Sequence, residues 1–208
     1  MAYFPFYIDI EGKNCLVAGG GKVALRKIEK LIPFKPKIKV VAPQIHDEIT
    51  KISDIEIVRR EFEESDLNDV FFVISASDDE VLNSRIFHIC KSRGILVNTV
   101  DDKEKCGFIF PALVHKEDVT VGISTSGKSP LCAGYLREKI DGLIDKKTLD
   151  IVEILGKYRL AIKEKFCTEQ TRKSVFEALL QRCIINEDLP SDREINFMLE
   201  ELKKHYEN

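Results

Sequence analysis

The sequence predicts an α/β fold with a parallel sheet, followed by a small mixed segment and an all-helical tail. Three observations predict it. Short β-branched apolar runs alternate with stretches of helical periodicity up to Asn98, the signature of successive βαβ units. A run of three glycines joins the first such strand to the first helix. From Lys146 onward strand patterns vanish and only helical spacing remains.

The elements follow in order. Residues 14–18, Asn-Cys-Leu-Val-Ala, form an apolar run ending in Gly19-Gly20-Gly21, a buried strand entering a tight turn. In 22–32, Val23, Ala24, Ile28, Leu31 and Ile32 fall near one helical face, and Pro33 and Pro36 punctuate the end. Residues 37–42 read as a second strand, stopped by Pro43. Residues 45–52 read as a short helix and 55–59 as a third strand. Residues 70–75, Val-Phe-Phe-Val-Ile-Ser, are β-branched and aromatic and read as a buried fourth strand. A helix over 79–91 carries Val81, Leu82, Ile86 and Ile89. A fifth strand over 95–97 runs into Asn98-Thr99-Val100-Asp101-Asp102. Residues 108–113 and 119–124 are strand-like with no long helix between them. After Ser129-Pro130 a helix extends to Ile144, and three more cover 147–165, 169–184 and 191–206. Pro190 separates the last two, and Ser191 is suited to cap the final one.

Composition excludes several functions. The 208 residues hold 32 Lys+Arg against 35 Asp+Glu, a net charge of -3. A general nucleic-acid binder would be strongly basic. No apolar run approaches the roughly 18 residues of a membrane helix. The N-terminus has no basic n-region or cleavage pattern, so no signal peptide is expected. A cytoplasmic protein without nucleic-acid or membrane partners is the expectation. Cys15, Cys90, Cys106, Cys132, Cys167 and Cys183 contain no C-x-x-C pair, which argues against zinc or a dithiol motif and for reduced thiols. His46, His88, His115 and His205 show no metal-ligand spacing, so a metal site is not readable.

Gly19-Gly20-Gly21-Lys22-Val23-Ala24 fits G-x-G-x-x-A. Gly19 permits the tight turn, Gly21 lets backbone approach a pyrophosphate, and Ala24 lets helix pack closely on strand. The helix N-terminus attracts the phosphates. The motif follows a strand and opens a helix, the context that makes it a dinucleotide turn in a Rossmann-like sheet. The acidic residue expected at the end of the second strand is missing: Val40-Val41-Ala42-Pro43-Gln44 stands there, with no Arg for a 2′-phosphate either. Backbone groups or Gln44 are left to hold the ribose, and the turn alone does not separate NAD from NADP.

Ligands of open α/β sheets sit at the carboxyl ends of the strands. Two polar clusters fall there. Ser75-Ala76-Ser77-Asp78-Asp79 has a capping reading, with Asp78 the favoured N-cap and Ser77 the alternative. Asn98-Thr99-Val100-Asp101-Asp102 has no long helix after it. It is either a solvated turn or a carboxylate placed to take a proton while hydride leaves a substrate. In Thr125-Ser126-Gly127-Lys128-Ser129-Pro130, Ser129 reads as an N-cap with Pro130 at the first helical position. Lys157, Arg159, Lys163, Lys165, Arg172 and Lys173 outnumber Glu164 and Glu169, forming either a solvated face or a cationic rim for a carboxylate-rich ligand.

Taken in register, these pieces are specific. Phe4-Pro5-Phe6-Tyr7-Ile8 precedes Cys15-Leu16-Val17-Ala18-Gly19-Gly20-Gly21-Lys22-Val23-Ala24-Leu25-Arg26-Lys27, then Ser77-Asp78-Asp79 and Val97-Asn98-Thr99-Val100-Asp101. Phe108-Ile109-Phe110-Pro111-Ala112, Ser124-Thr125-Ser126-Gly127-Lys128-Ser129-Pro130 and Leu136-Arg137-Glu138-Lys139 follow. In this order they resemble the precorrin-2 dehydrogenase/sirohydrochlorin ferrochelatase family, which includes stand-alone enzymes and the N-terminal module of siroheme synthase. The likeness is strong over residues 3–145. It implies an NAD-binding domain over 1–113, a dimerisation segment over 114–145 and a helical domain over 146–208, in a cytoplasmic homodimer. It implies NAD as cofactor, with Lys22, Val23, Pro43 and Gln44 at contact positions beside Gly19 and Gly21, and it places the catalytic aspartate on Asp101. The implied reaction is NAD-dependent oxidation of precorrin-2 to sirohydrochlorin in siroheme biosynthesis. The octacarboxylate substrate would meet Asn98, Ser124, Ser126 and Arg137, with Lys139 and the 157–173 cluster as further cations. Some members also insert Fe²⁺ and others do not; Asp101 and His115 are available to accept the pyrrole protons. The rival reading, a non-catalytic NAD-sensing module, accounts for 14–100 but gives no role to Asp101, the Ser/Gly loop or the tail.

Overall fold

The computed structural model describes residues 3–207. Phe4–Phe110 pack as one compact unit and the chain from Pro111 onward as a second. The segment expected to dimerise and the helical tail thus fall in one unit.

In the first unit, β1 (Asn14–Ala18) lies at the centre of a five-stranded parallel sheet. It pairs with β2 (Lys37–Val41) on one side and β4 (Phe72–Ser75) on the other. β3 (Ile55–Val58) lies outside β2, and β5 (Leu96–Thr99) outside β4. The order β3-β2-β1-β4-β5 confirms the Rossmann-like expectation. Chain direction across the sheet switches between β1 and β4, which opens a crevice at their carboxyl ends.

Strand side chains alternate in direction, so both faces must be covered. Cys15, Val17, Val40, Phe72 and Ile74 meet Ala24, Ile28 and Leu31 of α1 (Lys22–Leu31) and Ile49 of the short α2 (Asp47–Thr50). Leu16, Ala18, Val41, Val73 and Val97 meet Ile86 and Cys90 of α3 (Glu80–Arg93). The cap of α3 departs from expectation. Asp79, not Asp78 or Ser77, accepts from Val81 N at 2.8 Å and Leu82 N at 3.2 Å, while Ser77 Oγ accepts from Asp79 N at 3.2 Å. Gly94, at φ 68, ends the helix in the left-handed conformation.

Residues 108–111 are not a strand. Phe108 and Phe110 instead pack into the core beneath α1, with Phe108 edge-on to Phe72 at 5.9 Å between centroids. Just before them the chain runs antiparallel along the outer side of β5, through an Asn98–Cys106 bridge and Gly107 N donating to Val97 O at 2.8 Å.

A buried carboxylate ties β2 to the loop after β3. Asp66 accepts from Arg60 Nη1 and Nη2 at 2.8 and 2.7 Å, Lys39 Nζ at 2.9 Å and Glu63 N at 2.9 Å. The Arg60 guanidinium foremost holds its carboxyl well below the usual carboxylate range, against the opposing effect of burial.

In the second unit, β6 (Ala112–Lys116) and β7 (Val119–Ile123) form an antiparallel hairpin. It packs against α4 (Pro130–Leu143), and Lys116 Nζ donates to Asp141 O and Ile144 O at 2.6 and 3.0 Å. Ser129 caps α4 as expected, accepting from Cys132 N at 3.1 Å. The tail holds α5 (Lys146–Lys157), α6 (Arg159–Lys165), α7 (Glu169–Ile185) and α8 (Asp192–Glu207) around Ile162, Phe166, Val175, Leu179 and Leu199. The helix expected over 147–165 breaks at Tyr158, whose hydroxyl donates to Asp192 Oδ1 at 2.8 Å. Ser191 and Glu194 bond reciprocally at the start of α8, as its sequence suggests.

Candidate active site

The glycine turn leaves β1 with each glycine doing a different job. Gly19, at φ 125, occupies a conformation that side chains reject, and a Cβ there would lie 2.2 Å from Ala76 O at the end of β4. Gly20 was not singled out by the motif, yet a Cβ on it would lie 2.2 Å from Gln44 O. His46 N donates to Gly20 O at 2.8 Å, so the turn is seated on the loop that carries Pro43 and Gln44. Gly21 is the opposite case, with nothing within 4 Å of an added Cβ.

That open space lies at the start of α1. Gly21 is its N-cap, no side chain caps the helix, and its first turn holds no acidic residue. The first N–H groups of the helix therefore point outward with the positive end of the dipole, a ready site for an anion. Lys22 and Val23 are exposed beside it, as are Pro43 and Gln44. Ala24 is fully buried, as the motif requires. These residues fit a dinucleotide: the pyrophosphate would face Gly21 and the N–H groups of Lys22 and Val23. The missing acid is equally plain, since Val41 and Ala42 at the end of β2 are buried and apolar.

The second wall is built by the ends of β4 and β5. Ser75 is buried and its hydroxyl pairs with Asn83 Oδ1 at 2.7 Å. Asn98 is buried too. Its Nδ2 donates to Phe108 O at 3.0 Å and approaches Cys106 Sγ at 3.4 Å. This fixes the amide so that Oδ1 is left without a partner among the described residues, as is Thr99 Oγ1. Buried polar atoms without partners are uncommon and mark places where a ligand or water completes the bonding.

The two aspartates that follow separate cleanly. Asp102 caps a 3₁₀ turn over Lys103–Lys105, accepting from Glu104 N at 3.1 Å and Lys105 N at 3.3 Å. It also pairs with Lys105 Nζ at 2.7 Å, which holds its carboxyl below the ordinary range. No long helix follows this cap, only a three-residue turn, which leaves no helical period in the sequence to signal it. Asp101 takes no part in the capping. It is exposed and sits at φ 60, a left-handed conformation uncommon for a residue with a side chain. Its carboxylate acts electrostatically on Lys27 of α1.

The remaining expected residues lie in the second unit. Ser124 Oγ accepts from Ser126 N at 3.1 Å, and Ser126 is left-handed at φ 54 ahead of Gly127 at φ 77. Arg137 lies on α4, 3.3 Å from Glu138 Oε1. His115 Nδ1 lies 2.9 Å from Thr120 Oγ1 across the hairpin. Three of the six basic residues over 157–173 pair with acids of the tail, and a fourth bonds to backbone carbonyls. Lys157 pairs with Asp192 at 2.7 Å, Lys165 with Glu200, and Lys173 with Glu177 at 3.8 Å. Arg172 donates to Phe166 O and Cys167 O at 3.1 and 2.9 Å. The solvated-face reading fits these residues better than a free cationic rim.

Comparison with known proteins adds to the geometry. Residues 6–112 match the family described as "Putative NAD(P)-binding". The chain is 38% identical over 197 residues to siroheme synthase of Buchnera aphidicola, covering 93% of this chain and 42% of that protein. It is 39% identical over 180 residues to siroheme synthase of Zymomonas mobilis, covering 85% of this chain and 38% of that protein. The chain thus spans well under half the length of these relatives. Among solved structures, SirC, precorrin-2 dehydrogenase, superposes with a TM-score of 0.74 at 24% identity, covering 97% of this chain and all of that one, a likeness of fold.

Proposed function

The chain belongs to the NAD(P)-binding family matched over residues 6–112, in its precorrin-2 dehydrogenase/siroheme synthase branch; from that premise we propose that it oxidises precorrin-2 to sirohydrochlorin with NAD. The observation that carries the reading is Asp101, an exposed carboxylate in left-handed backbone at the end of β5, in the same sheet as a glycine turn open to an anion.

The oxidation removes two hydrogens from the tetrapyrrole, one as hydride and one as a proton. NAD, when bound, supplies the acceptor for the hydride. The chain's own residues do the rest. Gly21 and the first N–H groups of α1 hold the pyrophosphate, and the loop of Pro43 and Gln44 holds the ribose through backbone and amide groups. The buried apolar end of β2 offers a 2′-phosphate no cation, which favours NAD over NADP. Asp101 accepts the proton at its carboxylate. Asn98 Oδ1, buried without a partner, accepts a hydrogen bond from the bound ligand. Ser124, Ser126 and Arg137, which lie on the second unit, keep the substrate-binding role that the family resemblance implies for them.

Finer features belong to the same proposal. The chain works as a homodimer through 114–145, where Leu131 and Leu143 of α4 are 88% and 76% exposed. Its six thiols are free, which suits the reducing cytoplasm.

The test mixes the chain, NAD and precorrin-2 and follows NADH absorbance. Wild type is expected to turn over. Asp101→Asn is expected to lose turnover by at least about 100-fold, the scale of general-base catalysis, while binding NAD unchanged. No turnover by wild type would overturn the reaction, and an active Asp101→Asn would overturn the base. Iron insertion is assayed apart, with sirohydrochlorin and Fe²⁺ in the absence of NAD. Metallation above the uncatalysed rate adds that activity, and metallation at that rate confines the chain to oxidation.

A further inference from the structure

Lys27 occupies an unusual place. It lies midway along α1, and its stem is half-buried against the segment that returns from Asp101 to Phe110. Its ammonium sits 4.2 Å from the centroid of the Phe110 ring, a cation–π contact that fixes its position. Among the described residues it forms no ion pair, whereas Lys39, Lys105, Lys116 and Lys157 each do. Burial foremost, and then the like charge of Lys30, lower the pKa of the ammonium, while Cys106 and, least, Asp101 oppose that effect. Both opposing groups belong to the candidate site. Lys27 is therefore a partly desolvated cation within electrostatic range of the proposed base, with a π-face against it and only long-range compensation for its charge.

A desolvated cation without a close counter-charge is costly and is relieved when an anion arrives. The proposed substrate brings carboxylates on every ring. Resting on that reading, we propose that Lys27 is a substrate-binding residue that pairs with one carboxylate arm of the tetrapyrrole and so sets the reacting carbon beside Asp101. The Phe108–Phe110 segment that Lys27 packs on is also held by Asn98, whose Nδ2 donates to Phe108 O while its Oδ1 is left without a partner among the described residues. Donor, acceptor and base all belong to the first unit, on α1, on β5 and in the turn that follows β5.

The experiment uses Lys27→Met, which keeps a long apolar stem over Phe110, and Lys27→Arg, which keeps the charge; Lys27→Gln replaces the Met variant if that aggregates. The probe is uroporphyrin I, a fluorescent octacarboxylate tetrapyrrole, titrated with the full chain. NAD affinity is measured separately by calorimetry, and KM and kcat with precorrin-2 complete the set. Loss of one charge-assisted contact should weaken uroporphyrin binding about tenfold in Lys27→Met and flatten its salt dependence. Lys27→Arg should restore most of the affinity, NAD binding should stay as in wild type, and the effect on turnover should fall on KM more than on kcat. Equal uroporphyrin affinity in Lys27→Met and wild type overturns the inference and leaves the proposed reaction standing. A loss of NAD affinity instead assigns Lys27 to the cofactor and overturns it as well. A wild-type chain that neither binds uroporphyrin nor reduces NAD with precorrin-2 overturns the underlying reading, and this inference falls with it.

Discussion

Gly21→Ala separates binding from folding at one atom. Gly21 has φ −83 and ψ −173, a backbone open to any residue, and an added Cβ would meet nothing within 4 Å. The cost to stability is only that of a poorer N-cap, about 0.5–1 kcal/mol. For a chain of this size that lowers the thermal midpoint by about 1–4 °C. The methyl would nevertheless fill the space in which a pyrophosphate must approach the N–H groups of α1. Losing one N–H to phosphate bond costs about 1.5–3 kcal/mol, which is a weakening of NAD binding by at least about tenfold. Gly20→Ala is the matched control. Its Cβ would lie 2.2 Å from Gln44 O and 2.9 Å from Ile45 Cα, backbone atoms that cannot yield locally. It should destabilise by about 3 kcal/mol or more. Calorimetric titration with NAD and thermal unfolding by far-UV circular dichroism read the two effects; the chain has no Trp for intrinsic fluorescence. A Gly21→Ala chain that binds NAD like wild type would refute the placement of the pyrophosphate at α1. A Gly20→Ala chain as stable as wild type would refute the steric argument.

Two further outcomes follow from other parts of the molecule. Asp66→Asn leaves Arg60 and Lys39 facing a neutral amide; because both cations are about a third exposed, water relieves part of the loss, and urea unfolding should show about 2–3 kcal/mol at pH 7. The folded carboxyl is depressed, so its contribution is present above the unfolded value near 4 and fades as pH falls below it. The gap between wild type and variant should therefore narrow in acid, and a gap independent of pH would contradict the ion pair. If the proposed dimer forms through α4, Leu131→Asp with Leu143→Asp should shift it to monomer by light scattering without loss of helix signal. A dimer that survives both changes would remove α4 from the interface.

Much of the fold was legible because both faces of the sheet are covered. Leu16, Val17, Val73 and Ile74 read as continuous apolar runs, and Val23–Leu31 carries its own period. The glycine turn was legible because Gly19, Gly21 and Ala24 answer to local backbone demands. What escaped depends on contacts distant in sequence. Gly20 is required by Gln44, 24 positions on, and nothing in the motif names that neighbour. Asp66 looks like one acid among many until β2 brings Lys39 to it. Asp79 and Asp102 each stand next to another Asp, and only backbone direction decides which of the pair caps. The aromatic run at 108–110 has strand composition, yet its Phe108 and Phe110 pack into the same core as α1 and α2. Asp101 was assigned by resemblance; its left-handed backbone and its freedom from capping are structural signals that composition does not carry.

The stretch from Asp101 to Phe110 also has a part in solubility. β5 pairs with β4 alone, so its outer side is the kind of open edge that recruits other chains. The Asn98–Cys106 bridge and the bond from Gly107 N to Val97 O occupy part of that edge, and Phe108 and Phe110 anchor the cover in the core. The segment carrying the proposed base is thus also an edge guard. Loosening it for faster exchange of ligand would bare Leu96–Thr99 to a neighbouring molecule, so selection against aggregation and selection for precise placement of Asp101 act on the same ten residues.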